Sequence, residues 1–546
     1  MNQREMIKGL LLTGIGGVLM GLATEPWGLW GFAWVALVPL WVNVLIVAKN
    51  NLETYPILSL QRLKLPLIFA LVWGIGYYGI ALFWITGIHP MTWLGIPWLA
   101  SLAIALFCWT FITLWGTALV MVWTGLFLIL SDVETRQKPS ASLRPGASLL
   151  KKCSAISLAL TRVLIGTALW CGLESLWSSG ALWWSSLSYT QSFGNLIILH
   201  LGQISGPTTV TAILLIVNGL IAEGLIFEQH QKTVKLLILA LIFFISSHIV
   251  GLILYNRPLN NNPEQALKVG IIQGNIPNEI KLNPVGFLQA LQGYTTGYIT
   301  LANQGVDLVL TPETALPFFW TDPIQRHNSS FYQAILQEKV PALVGSFALK
   351  EEGYTNSLFS INQDGKIISE YDKINLVPLG EFIPFSEILG QFIRRLSPLE
   401  ATLIHGKPGQ TFQTPFGQAT VGICYDSAFA EHFRKQTAQG GEFIITASND
   451  AHYSSTMLAQ HHALDVMRAI ENDRWTIRAT NTGYSAVVDP HGRTLWLSHH
   501  NTYELYADII YRDQTQTLYV RWGNWLMPVL LIIGITVFFT KIDLFP

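Results

Sequence analysis

Val421-Gly422-Ile423-Cys424-Tyr425-Asp426 reads as the end of a buried β-strand passing into a polar turn, with a helix predicted over 428–439. Cys424 stands where the strand stops, which puts its sulfur at an edge of a sheet rather than deep within it. A thiol so placed is a nucleophile if a base and an oxyanion stabiliser converge on it. A single cysteine is more often a small buried hydrophobe, so the surrounding chain has to decide.

Around that stretch, residues 256–523 read as a water-soluble domain. Strands are predicted over 268–274, 307–311, 341–348 and 442–447, and helices over 284–304, 329–339 and 455–472. Hairpins are predicted over 354–371, turned at Asp364-Gly365, and over 411–424, turned near Pro415-Phe416-Gly417. Two strands should fill 475–497, turned at Asp489-Pro490-His491-Gly492. Alternating strands and helices with hairpins imply an α/β domain with mixed sheets. Three apolar strands end in reactive polar residues: Glu313, Cys424 and Asn449-Asp450. Such ends, gathered at one edge, are where α/β proteins bind ligands. The loop 372–384 adds Lys373 and Glu381.

The flanks are different. Of 546 residues 51% are hydrophobic, 12% are charged and 20 are Trp. Ordinary globular chains carry about 25% charged residues, so these values indicate a membrane protein. A net charge of −1 offers nothing to nucleic acid. Apolar runs lie at 7–24, 28–48, 66–87, 92–131, 153–176, 195–225, 236–255 and 524–540. A helix of about 20 residues spans a bilayer core. The run 92–131 is long enough for two. Lys and Arg mark cytoplasmic loops, and they cluster at Arg4 and Lys8, at Lys49, Arg62 and Lys64, at Arg136 to Lys152, at Lys232 and Lys235, and at Lys541. The alternation requires a single crossing in 92–131 and yields eight transmembrane helices. Seven precede the soluble domain (1–255) and one follows it (524–546). Both termini are then cytoplasmic and 256–523 is periplasmic. Gly206-Pro207 should kink the sixth span. Arg162 should snorkel from the end of its own. Cys108, Cys153 and Cys171 fall in or beside apolar runs as packing or lipid-facing residues, which leaves the soluble domain one cysteine and no internal disulfide.

A thiol acyl-transfer site needs a base, which Glu313 could supply. It needs an oxyanion stabiliser, which Lys373 and the N–H of Tyr425 could supply. Glu381 could hold Lys373 and fix the base. No metal or cofactor motif accompanies them. His461 and His462 lie on a helix, where a packing or capping role is the plainer reading than a Cys–His dyad.

Pro312-Glu313-Thr314-Ala315, Lys373 before Gly380-Glu381-Phe382-Ile383-Pro384, Gly422-Ile423-Cys424-Tyr425 and Ser448-Asn449-Asp450 resemble the nitrilase superfamily. With spans on both sides, Gln273-Gly274-Asn275-Ile276-Pro277 and Arg468-Ala469-Ile470-Glu471-Asn472, the chain is similar to the bacterial apolipoprotein N-acyltransferase family. The resemblance implies an α-β-β-α sandwich in a bacterial inner membrane. It implies Glu313 as general base, Lys373 as oxyanion stabiliser and Cys424 as nucleophile, with Glu381, Tyr425, Asp426 and Asn449 in support. It implies a thioester on Cys424, a phospholipid acyl donor, a diacylated apolipoprotein acceptor, no cofactor and a monomer. A membrane-tethered amidase hydrolysing an amide or ester is the alternative, and a non-catalytic scaffold the rival of another class. The chain departs from the family pattern at Thr311, Leu282, Asp426 and His452. The loops 318–330 and 385–410 are long enough to be lids, with Phe382, Phe385, Phe392 and Leu396 able to enter lipid.

Overall fold

The computed structural model describes residues 3–51, 60–136, 154–378, 380–382 and 403–543. Among the described residues seven helices are long and apolar enough to cross a membrane: Gln3–Leu22, Trp30–Lys49, Gln61–Ala81, Trp98–Ser131, Ala155–Trp177, Pro207–Ile226 and His230–Tyr255. Within the run 92–131 a 3-10 turn, Thr92–Leu94, precedes one unbroken helix, Trp98–Arg136, which starts directly after Pro97. The run 195–225 breaks as expected. Short helices Leu196–Leu199 and Gly202–Ser205 lead to Gly206, whose φ of +65° turns the chain into Pro207 at the start of Pro207–Ile226. A side chain at 206 would also strike the Tyr519 ring, so only glycine fits. A shorter apolar helix, Leu526–Asp543, follows the soluble domain. Large apolar side chains such as Leu11, Phe107 and Ile253 are about two-thirds exposed on these helices, which marks a lipid-facing surface.

Arg162 does not snorkel. Its Nε lies 2.8 Å from Glu223 Oε1, and both side chains are largely buried between Ser154–Trp177 and Pro207–Ile226. A partner four helical turns along the next segment outcompetes the reach to water. Cys171 is buried and Cys108 partly so; Cys153 lies outside the described residues.

The soluble domain holds two six-stranded sheets. The first runs β12 (Glu504–Tyr511), β1 (Ala266–Gln273), β2 (Leu308–Leu310), β3 (Ala342–Lys350), β4 (Gly353–Ile361), β5 (Ile367–Asp372). The second runs β11 (Thr494–Leu497), β10 (Ala486–Val488), β9 (Thr476–Thr480), β8 (Phe443–Ser448), β7 (Gly417–Ile423), β6 (Phe412–Thr414). β1, β2 and β3 are parallel neighbours, as are β7, β8 and β9. Val269, Leu310, Leu343 and Leu358 of one sheet pack on Val421, Ile445 and Ile477 of the other. Helices Pro284–Asn303 and Ser330–Glu338 cover the first sheet's outer face, where Tyr298, Leu301 and Ile335 pack on Ile272, Val309 and Val344. Ser455–Asn472 lies between the second sheet and the membrane helices, and nearly every residue from Met457 onward is buried. The result is the four-layer sandwich that the resemblance implied.

Three expectations change. The run 475–497 forms three strands, because Asn481-Thr482-Gly483 interrupts it between β9 and β10. β12 was not expected; its residues are mostly half-exposed, as at a sheet edge, so its apolar pattern is weak. The segment 318–330 is not a free loop. Trp320 is fully buried, its N–H donates to the Phe347 carbonyl (2.9 Å), and Pro323–Asn328 is helical. Of the other proposed lid, 385–402 lies outside the described residues, including Phe385, Phe392 and Leu396; Phe382 packs against His405.

Candidate active site

The candidate residues come from strand ends. β2 runs through Thr311-Pro312 into Glu313, and Thr314 takes a left-handed φ of +46° to turn the chain away. β3 passes so close beneath that a Cβ on Gly345 would lie 1.9 Å from the Pro312 oxygen. β5 delivers Lys373, whose main chain is held at both ends: its N–H donates to the Asn356 carbonyl and its carbonyl accepts from Gly406, both at 2.8 Å. β7 delivers Cys424, which has φ +50° and heads the 3-10 turn Cys424–Ala428. Left-handed backbone is disfavoured for residues with a Cβ and persists where the surroundings over-determine it.

Lys373 Nζ lies 2.9 Å from Glu313 Oε1 and 2.9 Å from Glu381 Oε1. The lysine is 1% exposed and Glu313 6%, so this is a buried charge cluster. Asn356 Nδ2 donates to Glu313 (2.6 Å) and to Glu381 (3.3 Å), and the Val377 N–H holds the second Glu381 oxygen at 2.8 Å. Burial works against the Lys373 charge, but Glu313 and Glu381 outweigh it and hold the ammonium well above the usual lysine range. Burial raises the Glu381 carboxyl, with Lys373 opposing. Burial, then the Glu313 carboxylate, pushes the Cys424 thiol well above its ordinary value, with Lys373 opposing. The resting thiol is therefore protonated and needs a base to react.

The supporting residues separate. The Tyr425 hydroxyl points away from the cluster and donates to the carbonyls of Ala181 (2.9 Å) and Trp183 (2.6 Å), between the membrane helices. Asp426 is fully buried. It accepts from the N–H of Ile423 (3.0 Å), the N–H and side chain of Asn375 (2.9 and 2.8 Å) and the Tyr371 hydroxyl (2.9 Å). It ties the cysteine turn to the lysine loop and faces no open space. Asn449 accepts from Asn481 Nδ2 (3.0 Å) and braces two strand ends. Of the departures, Thr311 is turned into the sheet, its hydroxyl 3.2 Å from the Leu343 carbonyl. Leu282 is half-exposed. His452 binds Asn278 (2.8 Å) and lies against Trp93; burial, then the Lys281 charge, lowers it to about 4.

Lys281 and Asn356 escaped the sequence reading. Lys281 is 4% exposed, and its Nζ donates to the Glu313 carbonyl at 3.1 Å. Burial lowers it to about 8, although Glu313 and Cys424 oppose that. In sequence it looks like one more charged residue of a short helix, Asn278–Lys281. Behind the cysteine, Asp450 and His461, both named from the sequence, are fully buried. Ligand atoms of Cys424, Asp450 and His461 lie within 4.8 Å of one another. They do not suit a metal ion: the two His461 nitrogens bond Asp450 Oδ1 and the Cys424 carbonyl, and Asp450 Oδ2 is taken by Arg478.

The family models divide the chain where the fold does. An apolipoprotein N-acyltransferase N-terminal domain model matches residues 16–220, and a carbon-nitrogen hydrolase model matches 268–517. An apolipoprotein N-acyltransferase of a Nostoc species is 52% identical over 94% of this chain and 95% of its own. One from a Synechocystis species is 48% identical over 94% and 97%. Among solved structures, Nit3 of Saccharomyces cerevisiae aligns with 46% of this chain and 92% of its own at 21% identity and a TM-score of 0.36. By these identities and coverages, the chain belongs to the apolipoprotein N-acyltransferase family.

Proposed function

We propose that this chain transfers an acyl group from a membrane phospholipid to the α-amino group of the diacylglyceryl-cysteine at the N-terminus of apolipoproteins, through a thioester on Cys424. One observation carries the reading: a buried ammonium held between two carboxylates, whose charges all act on a strand-end thiol. Glu313 takes the thiol proton as sulfur attacks the ester carbonyl. The oxyanion forms against Lys373 and the N–H of Tyr425. The intermediate collapses, the C–O bond breaks, and the lysophospholipid alkoxide leaves with the proton held by Glu313. The acceptor amine then attacks the thioester and Glu313 takes its proton. The C–S bond breaks as the second intermediate collapses, and the thiolate recovers the proton. Glu381 and Asn356 keep Glu313 and Lys373 in place.

Seven long apolar helices, the helix Leu526–Asp543 and the alternation of basic loops support eight spans. On this reading residues 1–255 and 524–546 are membrane domains with both chain ends cytoplasmic. Residues 256–523 form a periplasmic catalytic domain on the bacterial inner membrane, in a monomer. Both lipid-anchored substrates then reach a site over the outer leaflet. The test is mass spectrometry of a diacylated lipopeptide incubated with enzyme and phospholipid. A triacylated lipopeptide plus lysophospholipid is expected. Free fatty acid with unmodified lipopeptide would favour a membrane-tethered hydrolase instead.

A further inference from the structure

His461 is fully buried on Ser455–Asn472 and takes no part in the steps above. Its Nε2 lies 2.9 Å from the main-chain oxygen of Cys424 and its Nδ1 2.9 Å from Asp450 Oδ1. The Cys424 oxygen can only accept, so Nε2 is the donor of that bond. The ring is not aimed at the sulfur as a dyad base. Behind it the anchor is built in depth. Arg478 bonds Asp450 (3.0 Å), Asp465 and the Tyr484 carbonyl (2.9 Å), and Thr446 donates to Asp465 (2.8 Å). Trp184, from the membrane side, closes the other edge of the ring.

Cys424 is the one residue of the Glu–Lys–Cys set that is itself in left-handed backbone. Its Cα–Cβ direction, and so the position of sulfur, follows the orientation of the peptide whose oxygen His461 holds. We propose that His461 is a positioning residue for the reaction: its Nε2–H pins the Cys424 carbonyl, and the Asp450–Arg478–Asp465 cluster fixes the ring that does so. This rests on Cys424 being the nucleophile.

The two amide residues separate this role from mere packing. A glutamine amide nitrogen reaches the place of Nε2, whereas an asparagine nitrogen reaches only that of Nδ1. In full-length enzyme given phospholipid and diacylated lipopeptide, His461→Asn should lower kcat about 100-fold with the donor KM changed less than about 3-fold, the cost of an ångström-scale misplacement. His461→Gln should stay within about 10-fold of the parent. Equal kcat for the two variants, or a loss confined to KM, overturns the inference. If His461→Asn does not fold, Asp450→Ala gives the same test: it frees the ring, and should cut kcat at least about 10-fold at an unchanged KM. Parental kcat in that variant overturns the inference. Cys424→Ala is run beside them. Activity in Cys424→Ala would sink the reading of the nucleophile; an inactive Cys424→Ala with equal Asn and Gln variants would sink only the role of His461.

Discussion

Replacing Lys373 by methionine keeps most of the side-chain volume and removes the charge between Glu313 and Glu381. Each ammonium–carboxylate contact is 2.9 Å long, worth about 6 kcal/mol gross at an effective dielectric of 20 before desolvation is subtracted. The net cost of stranding one side of a buried pair is smaller, about 3–5 kcal/mol. Two carboxylates would then share Asn356 Nδ2, and one of them must take up a proton. If that one is Glu313, the proposed base is lost along with the proposed oxyanion partner. The oxyanion contribution alone is about 100- to 1000-fold. Lys373→Met should therefore melt earlier and form thioester at least about 1000-fold more slowly in a single-turnover assay with phospholipid. The double variant Lys373→Met/Glu381→Gln removes the stranded charge. It should recover about 1–3 kcal/mol of the stability but none of the rate. A pH titration cannot replace the mutation. A raised lysine stabilises fully below its unfolded value and loses that only as pH rises through its folded value, which lies well above the lysine range. Thioester formation by Lys373→Met within tenfold of the parent, or rate recovery in the double variant, would refute the assignment of Lys373.

Asp426→Ala leaves buried donors of Ile423, Asn375 and Tyr371 without an acceptor. It should cost about 3–5 kcal/mol in denaturant unfolding, and Asp426→Asn about 1–3 kcal/mol. Lys281 sits near 8 when folded against an ordinary 10.5, mainly through burial. Between those pH values the unfolded chain binds more protons, so stability from this group rises with pH. The rise should be about 3 kcal/mol, and Lys281→Met should remove it from the pH dependence of thermal unfolding.

The strand-end pattern made Glu313, Cys424 and Asn449-Asp450 legible, because a short apolar run closed by a polar residue has a local signature. The apolar runs likewise became helices near their expected bounds. What the sequence hid was direction. Asp426 lies two residues after Cys424, yet its side chain turns to Tyr371 and Asn375, and Tyr425 reaches to the loop after Ser154–Trp177. Those orientations follow from the 3-10 turn that Cys424 heads, which no spacing reveals. Lys281 and Asn356 belong to the charge cluster through contacts about 32 and 43 residues away in sequence, and each looks ordinary in its own segment. Arg162 was misread for the same reason, since its partner Glu223 lies on another helix.

The central claim is that Cys424 carries the acyl group. Intact-protein mass spectrometry of the full-length enzyme after incubation with phospholipid alone tests it most directly. The expected result is an added mass of one acyl chain, released by neutral hydroxylamine or by diacylated lipopeptide and missing from Cys424→Ala. An adduct that persists in Cys424→Ala, or lipopeptide acylation by that variant, would contradict it.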